Sequence, residues 1–343
     1  MTPQAEPLVS VLTPVYNGEK HLEYCIRSIL AQTYSNFQYT IINNCSTDRT
    51  LEIAQSFASL DPRIRIHNNT EFLSVVDNHN KAFSLITEGA KYCKIVGADD
   101  WLFPNCISEL VKVAEEYPTV GMVTSYVLVG RRVGWDGLPF PSTFMKGRDV
   151  CRLRLLKGIR VFGGPSASLL RASVVQERQP FYKVGNYHGD TEAYLDLLQE
   201  HDFGYVHQVL SYNRRGEDSR TTHFLQRVNS YVVADIEELT RYGPIYLSSQ
   251  ERESRLSQAT KMYYRFLAES VLELRGKEFW DYHRERMRSL GLGIDYFKLS
   301  RFVLYRILDA LLNPKRAVEF VLKKIVGRTR SYRRARAAAA SAN

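Results

Sequence analysis

The chain has few of the features that mark disulfide-bonded, secreted or membrane-spanning proteins. Its 343 residues include five cysteines, an odd number without any C-x-x-C pair, which argues against a disulfide framework and a structural zinc site. No run of about eighteen apolar residues occurs, so the sequence predicts no spanning helix. Met1 to Pro7 show no basic segment leading into an apolar stretch, so no signal peptide is expected. These absences predict a cytoplasmic protein.

Most of the excess positive charge lies at one end of the chain. The net charge is +9, and residues 315–336 alone hold nine Lys/Arg against one Glu. Because the remainder is nearly neutral, a nucleic-acid partner is not expected. The apolar residues Val318, Val321, Leu322 and Ile325 lie on one helical face with lysines and arginines beside them. This basic tail therefore predicts either attachment to an anionic membrane, peripherally on its inner face, or an ordinary packed helix with a basic end.

Hydrophobic periodicity predicts an α/β domain followed by helices. Short apolar runs at 8–14, 37–42, 64–66 and 92–96 read as strands and alternate with helical patterns, which favours βαβ units and a mostly parallel sheet. Residues 130–148 read as a long loop. After Gly216 only helical patterns follow, beginning with one over 224–239. We therefore expect two regions, 1–218 and 219–343, with a boundary near Gly216–Thr222.

The pair Asp99 and Asp100 directly follows the fourth predicted strand. Two carboxylates at the mouth of a buried strand repel each other, and a divalent cation with oxygen ligands would relieve that repulsion. The plain alternative is a turn with solvated carboxylates that cap a helix. The carboxyl ends of parallel strands share one edge, so the turns at 14–18, 43–48 and 97–100 should meet there. That convergence favours a binding site over the plain alternative.

Several segments in this order resemble the family 2 glycosyltransferases. They span roughly residues 7 to 216, and such a series is far more specific than any one of its motifs. The matching segments are VSVLTPVYNG at 9–18, SILAQTY at 28–34, NCSTDRT at 44–50, NHN at 78–80, GADDW at 97–101, Pro104, GGPS at 163–166, HGD at 188–190 and SYNRR at 211–215.

The resemblance implies a GT-A fold: a Rossmann-like, mostly parallel central sheet flanked by helices, here with a helical C-terminal extension. It also implies transfer of a sugar from a nucleoside-diphosphate donor to a glycan or lipid-linked acceptor, usually with inversion and with Mn²⁺ or Mg²⁺. Such acceptors belong to the synthesis of cell-surface polysaccharides. The residues that would then contact the donor are Thr13, Pro14, Tyr16, Asn17, Asn43, Asn44, Asp48, Asn78, Ala98, Asp99, Arg214 and Arg215.

The resemblance also assigns the chemistry. Asp99 and Asp100 match the end of the family's acidic metal motif, and Asp190, placed just before a helix predicted at 191–200, matches the general base. Glu192 is a second choice for the base, and His188 is expected to be a nearby polar contact. For Asp48 a helix-capping role is expected before a nucleotide contact. Arg214 and Arg215 sit where a basic segment approaches the diphosphate, although a solvated pair is as well supported.

Two positions depart from the family pattern. Gly97 stands where the metal motif has its first acidic residue, and Asn43 and Asn44 replace an acidic pair. An amide hydrogen-bonds a base or a ribose but is not a pure acceptor. These departures leave room for a non-catalytic binding module of the same fold. A sugar-phosphate nucleotidylyltransferase is a weaker rival, because the first turn lacks the Gly-rich, basic loop that such an enzyme uses.

Overall fold

The computed structural model describes residues 6–183, 188–214, 224–225 and 227–313. The chain divides into two compact units, Met1–Phe224 with Glu238–Arg255 and Leu225–Glu237 with Leu256–Asn343. The predicted contact residue Arg215 and the basic tail lie outside the described residues.

A single sheet runs through the first unit. It is mixed, with ten strands among the described residues. They are β1 (Val9–Val15), β2 (Phe37–Asn43), β3 (Ile64–Asn68), β4 (Tyr92–Ile95), β5 (Trp101–Leu102), β6 (Val120–Val129), β7 (Arg132–Gly134), β8 (Phe144–Met145), β9 (Leu169–Arg171) and β10 (Asp202–Asn213).

The strand order is β3-β2-β1-β4-β9-β6-β10-β5. Strands β3, β2, β1 and β4 are parallel, and β6 is parallel to β10. The short β9 runs antiparallel to both β4 and β6 and joins the two parallel blocks. Because β1, β2 and β4 point the same way, the turns that follow them lie at one edge. The predicted α/β architecture is confirmed.

The described helices flank the sheet and continue into the second unit. The predicted loop at 130–148 is wrong in part, because Gly130, at φ 60°, turns the chain back so that β7 pairs with β6. The helix predicted at 224–239 is interrupted: residues 224–225 and 227–228 are helical, Asn229 turns the chain at φ 51°, and the next helix runs over Tyr231–Tyr246. The helices are α1 (Leu22–Leu30), α2 (Thr50–Ala58), α3 (Val75–Ser84), α4 (Cys106–Glu116), α5 (Gly147–Lys157), α6 (Ala172–Gln176), α7 (Gly189–Leu197), α8 (Tyr231–Tyr246), α9 (Ser249–Leu272), α10 (Lys277–Ser289) and α11 (Tyr296–Leu312).

The core is built on β1, in which every residue is buried. Helix α1 covers it with Leu22, Cys25, Ile26 and Ile29, whose spacing of three and four residues places them on one face. The buried chains of β1, β2, β4 and α4 form one apolar cluster with these residues. The strand that leads to the first predicted site turn is therefore the most firmly held part of the sheet.

The second unit has its own buried polar contacts. Arg286 pairs with Glu237 at 2.6 Å. The imidazole of His283 contacts the Tyr263 hydroxyl at 3.1 Å and the carbonyl of Val228 at 2.8 Å. Burial lowers the pKa of His283 to about 4, so the ring is neutral at physiological pH. In the described part of the chain, no helix combines the length and the apolar character needed to traverse a bilayer.

The start of α5 gives a test of the packing. A Cβ at Gly147 would lie 1.9 Å from the carbonyl oxygen of His201, whereas one at Gly164 would meet nothing within 4 Å. We expect Gly147→Ala to lower the free energy of unfolding by about 3 kcal/mol, because the backbone must move. Gly164→Ala should change it by less than about 0.5 kcal/mol. Chemical denaturation measures both, and equal unfolding free energies would contradict this packing.

Candidate functional site

The turns after β1 and β2 are locked together by hydrogen bonds. The backbone N–H of Asn17 donates to Ser46 Oγ at 3.0 Å, and that of Gly18 donates to Thr50 Oγ1 at 2.7 Å. In return, the backbone N–H of Thr47 donates to Asn17 Oδ1 at 2.8 Å. Asn17 and Cys45 both have left-handed backbone conformations, with φ of 50° and 57°. Such strained residues persist where surrounding contacts fix them, often at functional sites.

A cavity of about 710 Å³ opens where these turns meet the turn after β4. This is the convergence that the sequence predicts. Nine of the predicted site residues line it. They are Pro14, Tyr16, Asn17, Asn44, Asn78, Ala98, Asp99, Asp100 and Arg214.

Asp100 is held in the cavity by three hydrogen bonds. It is 5% exposed, and its Oδ2 accepts hydrogen bonds from Ser166 Oγ at 2.5 Å and Asn213 Nδ2 at 3.1 Å. Its Oδ1 accepts one from the backbone N–H of Arg214 at 3.0 Å. A Cβ at position 97 would lie 3.0 Å from Asp100 Oδ2 and 3.4 Å from Asp99 Oδ1. Glycine therefore lets the backbone approach both carboxylates. This close approach explains why position 97 is a glycine.

The two carboxylates disfavour each other's ionisation. Burial raises the pKa of Asp100 to about 7, and repulsion from Asp99 adds to this rise against the three hydrogen bonds that it accepts. Burial also raises the pKa of Asp99, opposed by a backbone hydrogen bond and by the charges of His21 and Arg214. The site therefore holds negative charge at an energetic cost that a bound cation would relieve.

Arg214 brings a positive charge to the same cavity. Its guanidinium Nη1 lies 2.6 Å from Nδ1 of His21, the residue that precedes α1. Its backbone is fixed on Asp100, so the guanidinium and the carboxylates are held as one group. A cavity with a fixed guanidinium beside two carboxylates suits a ligand with anionic oxygens and an accompanying cation.

The amides of the opposite wall serve to shape it. Asn44 Oδ1 accepts from Asn69 Nδ2 and from the backbone N–H of Leu73, both at 2.9 Å, and its Nδ2 donates to the Leu73 carbonyl. Asn69 Nδ2 also donates to Asn78 Oδ1 at 2.9 Å. This network fixes the loop that carries Phe72, whose ring meets the ring of Tyr16 edge-on at 4.8 Å. Both rings line the cavity and are largely exposed.

Three predicted contact residues lie outside the cavity lining and are used internally. Thr13 is buried, and its hydroxyl accepts a hydrogen bond from Tyr39 at 3.0 Å. Asn43 Nδ2 donates to Asn68 Oδ1, and its Oδ1 accepts from the backbone N–H of Ser46. Asp48 accepts from the backbone N–H groups of Thr50 and Glu19, and it contacts the Thr50 hydroxyl. These residues support the turns rather than face the cavity.

Asp190 lies on α7 and does not line the cavity. The prediction that it precedes the helix is wrong: α7 begins at Gly189, because the backbone N–H of Glu192 already bonds the carbonyl of His188 at 3.2 Å. Burial raises the pKa of Asp190, against a hydrogen bond from the backbone N–H of Thr191. Glu192, the second choice for the base, is buried and paired with Arg241 at 2.8 Å.

Sequence reasoning overlooked several residues at this site. Their signals were weak, since Ser166 and Asn213 stood inside matched segments without any assigned chemistry. His79 also stood inside a matched segment, NHN at 78–80, whereas His21 and Phe72 belonged to no motif. The residues are His21, Phe72, His79, Ser166 and Asn213.

Whether the donors suit a divalent cation depends on their number and type. The described residues contain no cluster of three or more His, Cys, Asp or Glu side chains able to hold a metal. Asp99 and Asp100 are the two carboxylates among the residues that line the cavity. Mg²⁺ and Mn²⁺ are commonly held by one or two carboxylates together with substrate phosphates, so the residues fit a cation that arrives with a phosphate ligand.

Comparison with known proteins identifies the family model that fits this unit. Residues 10–178 match the model described as Glycosyl transferase family 2. An uncharacterised glycosyltransferase of Haemophilus influenzae is 29% identical over 183 residues, which are 50% of this chain and 54% of the relative. The chain thus spans about half the length of that curated relative.

Two solved structures share the fold at low sequence identity. S. aureus TarS 1–349, in complex with UDP-GlcNAc, superposes with a TM-score of 0.58 at 13% identity over 82% of this chain and 81% of that one. The Pyrobaculum calidifontis mannosyltransferase PcManGT, in complex with GDP-Man and Mn²⁺, gives 0.52 at 16% identity over 89% of each chain. These likenesses confirm the predicted GT-A fold.

The raised pKa of Asp100 predicts how stability depends on pH without metal. The folded-state pKa lies above the ordinary carboxyl value of about 4, so folding favours the protonated form, and the Asp100 contribution declines as pH rises from about 4 to about 7. Asp100→Asn removes this contribution. In EDTA, we expect the Tm of the variant relative to wild type to rise between pH 5 and pH 8.

The control for this titration is Glu253→Gln, which neutralises an exposed carboxylate on α9. It should keep a constant Tm difference from wild type across the same pH range. A constant difference for Asp100→Asn as well would show that Asp100 titrates as an ordinary carboxylate.

Proposed function

Because the chain belongs to glycosyl transferase family 2, we propose that it transfers a sugar from a nucleoside-diphosphate donor to a hydroxyl group of a glycan or lipid-linked glycan. One observation carries this proposal: Asp99, Asp100 and Arg214 meet at one cavity with the turns that follow β1 and β2. Fixed charges of both signs beside polar loops suit a ligand with a pyrophosphate and a nucleoside.

The pyrophosphate end is supported by the charges. The leaving nucleoside diphosphate gains negative charge as the glycosidic bond breaks, and the fixed Arg214 guanidinium stabilises that charge. Asp99 and Asp100 are the residues that would hold Mn²⁺ or Mg²⁺. When bound, the cation supplies Lewis-acid stabilisation of the leaving group. Arg215 is proposed to assist Arg214, as the family resemblance implies.

The nucleoside end is supported by the aromatic and amide wall. The Tyr16 and Phe72 rings give the base an apolar surface, and Asn17 sits at the turn beside them. The side-chain amide of Asn44 hydrogen-bonds the backbone of the loop that carries Phe72, so Asn44 acts here by positioning Phe72. Asn78 belongs to the same network, because its Oδ1 accepts a hydrogen bond from Asn69.

Asp190 is proposed as the general base. An acceptor hydroxyl loses its proton as its oxygen attacks the anomeric carbon, and a carboxylate with a raised pKa is better suited to accept that proton. Attack from the face opposite the leaving group inverts the anomeric configuration. The base role comes from the family resemblance. Asp190 lies half-buried in the first turn of α7, outside the lining of the cavity.

We propose that the acceptor is part of a cell-surface polysaccharide or its lipid-linked precursor, and that the enzyme works in the cytoplasm at the inner face of the membrane. The basic charge of residues 315–336 supports such a position. The second candidate function is a non-catalytic module that binds a nucleotide or glycan. It is favoured by the small number of acidic donors, since Asp99 and Asp100 stand alone in the cavity.

The metal and donor proposal predicts coupled binding. Calorimetry with UDP and GDP should show at least about tenfold tighter binding of one of them with Mn²⁺ than in EDTA, because the cation bridges carboxylate and phosphate. Asp99→Ala should abolish this enhancement. The exposed control Asp136→Ala should retain it. Nucleotide binding that is indifferent to metal would favour the binding module.

The base assignment predicts a loss of turnover without a loss of donor affinity. Asp190→Asn should lower kcat about 10²-fold or more, because proton removal in the transition state is lost, and should leave the donor Kd within about twofold. Asp196→Asn, two turns along α7, is the matched control and should retain most activity. Full turnover by Asp190→Asn would remove Asp190 from the mechanism.

A further inference from the structure

Helix α11 packs into the second unit through a side that combines an ion pair with apolar residues, among them the half-buried Phe302 and Val303. Asp295 caps the helix by accepting from the backbone N–H of Lys298 at 2.9 Å. Arg306 pairs with Glu269 of α9 at 2.7 Å, and Leu299 is the buried apolar residue of this side. The side of α11 that meets its neighbour therefore carries an ion pair.

The opposite side of α11 is apolar and open. Phe297, Leu304, Leu308 and Leu311 recur at helical spacing on it, and the exposed fractions of these four side chains run from 46% to 75%. Tyr305 and Leu312 extend the same surface, and Leu312 is 79% exposed. A helix at the surface of a water-soluble domain normally carries polar residues on its outer side. A contiguous exposed apolar surface of this kind marks an interaction site. We call these six residues the α11 apolar face.

Cations surround one end of this face. A cavity of about 570 Å³ is lined by Lys261 and Arg265 of α9 and by Lys298 and Arg301 of α11, together with Phe297, Phe302, Tyr305 and the carboxylate of Asp295. Lys298 lies over the Tyr264 ring at 4.8 Å. Among the described residues, no carboxylate forms an ion pair with Lys261, Arg265 or Arg301. The basic groups and the apolar face thus form one continuous amphiphilic surface.

We propose that this surface docks the protein onto a membrane containing anionic lipids. The exposed leucines and aromatic rings enter the boundary between headgroups and acyl chains, while the four basic side chains meet lipid phosphates and carboxylates. Arg306 and Asp309 pair at 3.7 Å on the packed side of the helix, so their charges lie away from this surface. The proposal concerns described residues of the second unit, and it does not depend on the sugar-transfer chemistry proposed for the first.

The positive charge of this surface favours an anionic membrane over two other binding partners, a second copy of the chain and residues 315–336 of the chain itself. A second copy packed face to face would bring the same four cations together across a two-fold axis, which is repulsive. Residues 315–336 of this chain carry nine Lys/Arg against one Glu, so they would add positive charge to the face. An anionic bilayer alone offers both an apolar layer and the opposite charge.

The test is co-sedimentation of the full-length chain with vesicles of phosphatidylcholine, with and without about 30 mol % phosphatidylserine. We expect binding to the anionic vesicles and at least tenfold weaker binding to the neutral ones. Leu304→Glu/Leu308→Glu should lower the partition coefficient at least about tenfold, because it places two anions in the contact. The matched control is Leu60→Glu/Leu274→Glu, which makes the same change at residues that are 82% and 88% exposed elsewhere.

Two further measurements keep the result unambiguous. Lys261→Ala/Arg265→Ala/Arg301→Ala removes charge at exposed positions and should weaken anionic-vesicle binding while leaving the thermal unfolding of the chain unchanged. In a Leu308→Trp chain, brominated lipid should quench fluorescence beyond the quenching seen in wild type. Unchanged partitioning of both multiple variants would show that the basic tail alone binds lipid and would overturn the proposal. A wild-type dimer in light scattering that Leu304→Glu/Leu308→Glu disperses, without vesicle binding, would overturn it as well.

Discussion

Two adjacent carboxylates at the end of a central strand are the constraint on which the first unit depends. Asp100 is almost fully buried beside Asp99, and its pKa is raised to about 7 by burial and by that neighbour. Hydrogen bonds from Ser166, Asn213 and the backbone of Arg214 hold it in place. The protein thus holds two carboxylates at an energetic cost from burial and mutual repulsion. A bound cation, accompanied by an anionic ligand, would lower that cost.

The surrounding structure fixes the position of these carboxylates relative to the other walls of the cavity. Parallel pairing of β1 with β2 and β4 places three turns at one edge, and hydrogen bonds from Asn17 and Gly18 to the second turn remove their freedom. The Asn44 network then fixes the loop that carries Phe72 opposite the carboxylates. Among the described residues, strands and side-chain hydrogen bonds define the cavity. Binding therefore requires little ordering of these loops.

The sequence predicted the features that follow from periodicity and from strand polarity. The strands β1 to β4 and the meeting of their turns depend on apolar alternation and on parallel pairing, both of which are local or general rules. The sequence did not predict the role of a side chain whose hydrogen-bond partner lies far away along the chain. Thr13 and Asn43 are polar residues near the carboxyl ends of β1 and β2, but Tyr39 and Asn68 hydrogen-bond them internally. The α11 apolar face was also missed, because periodicity shows that a helix has an apolar stripe and does not show which side is covered.

The most direct measurement of the account is a crystal structure with Mn²⁺ and a nucleoside diphosphate, with data collected at the manganese absorption edge. The account predicts one anomalous peak within coordination distance, about 2.2 Å, of Asp99 or Asp100 and of a diphosphate oxygen, with the base beside Tyr16. A diphosphate bound in this cavity without an anomalous peak, or a peak distant from both carboxylates, would contradict it.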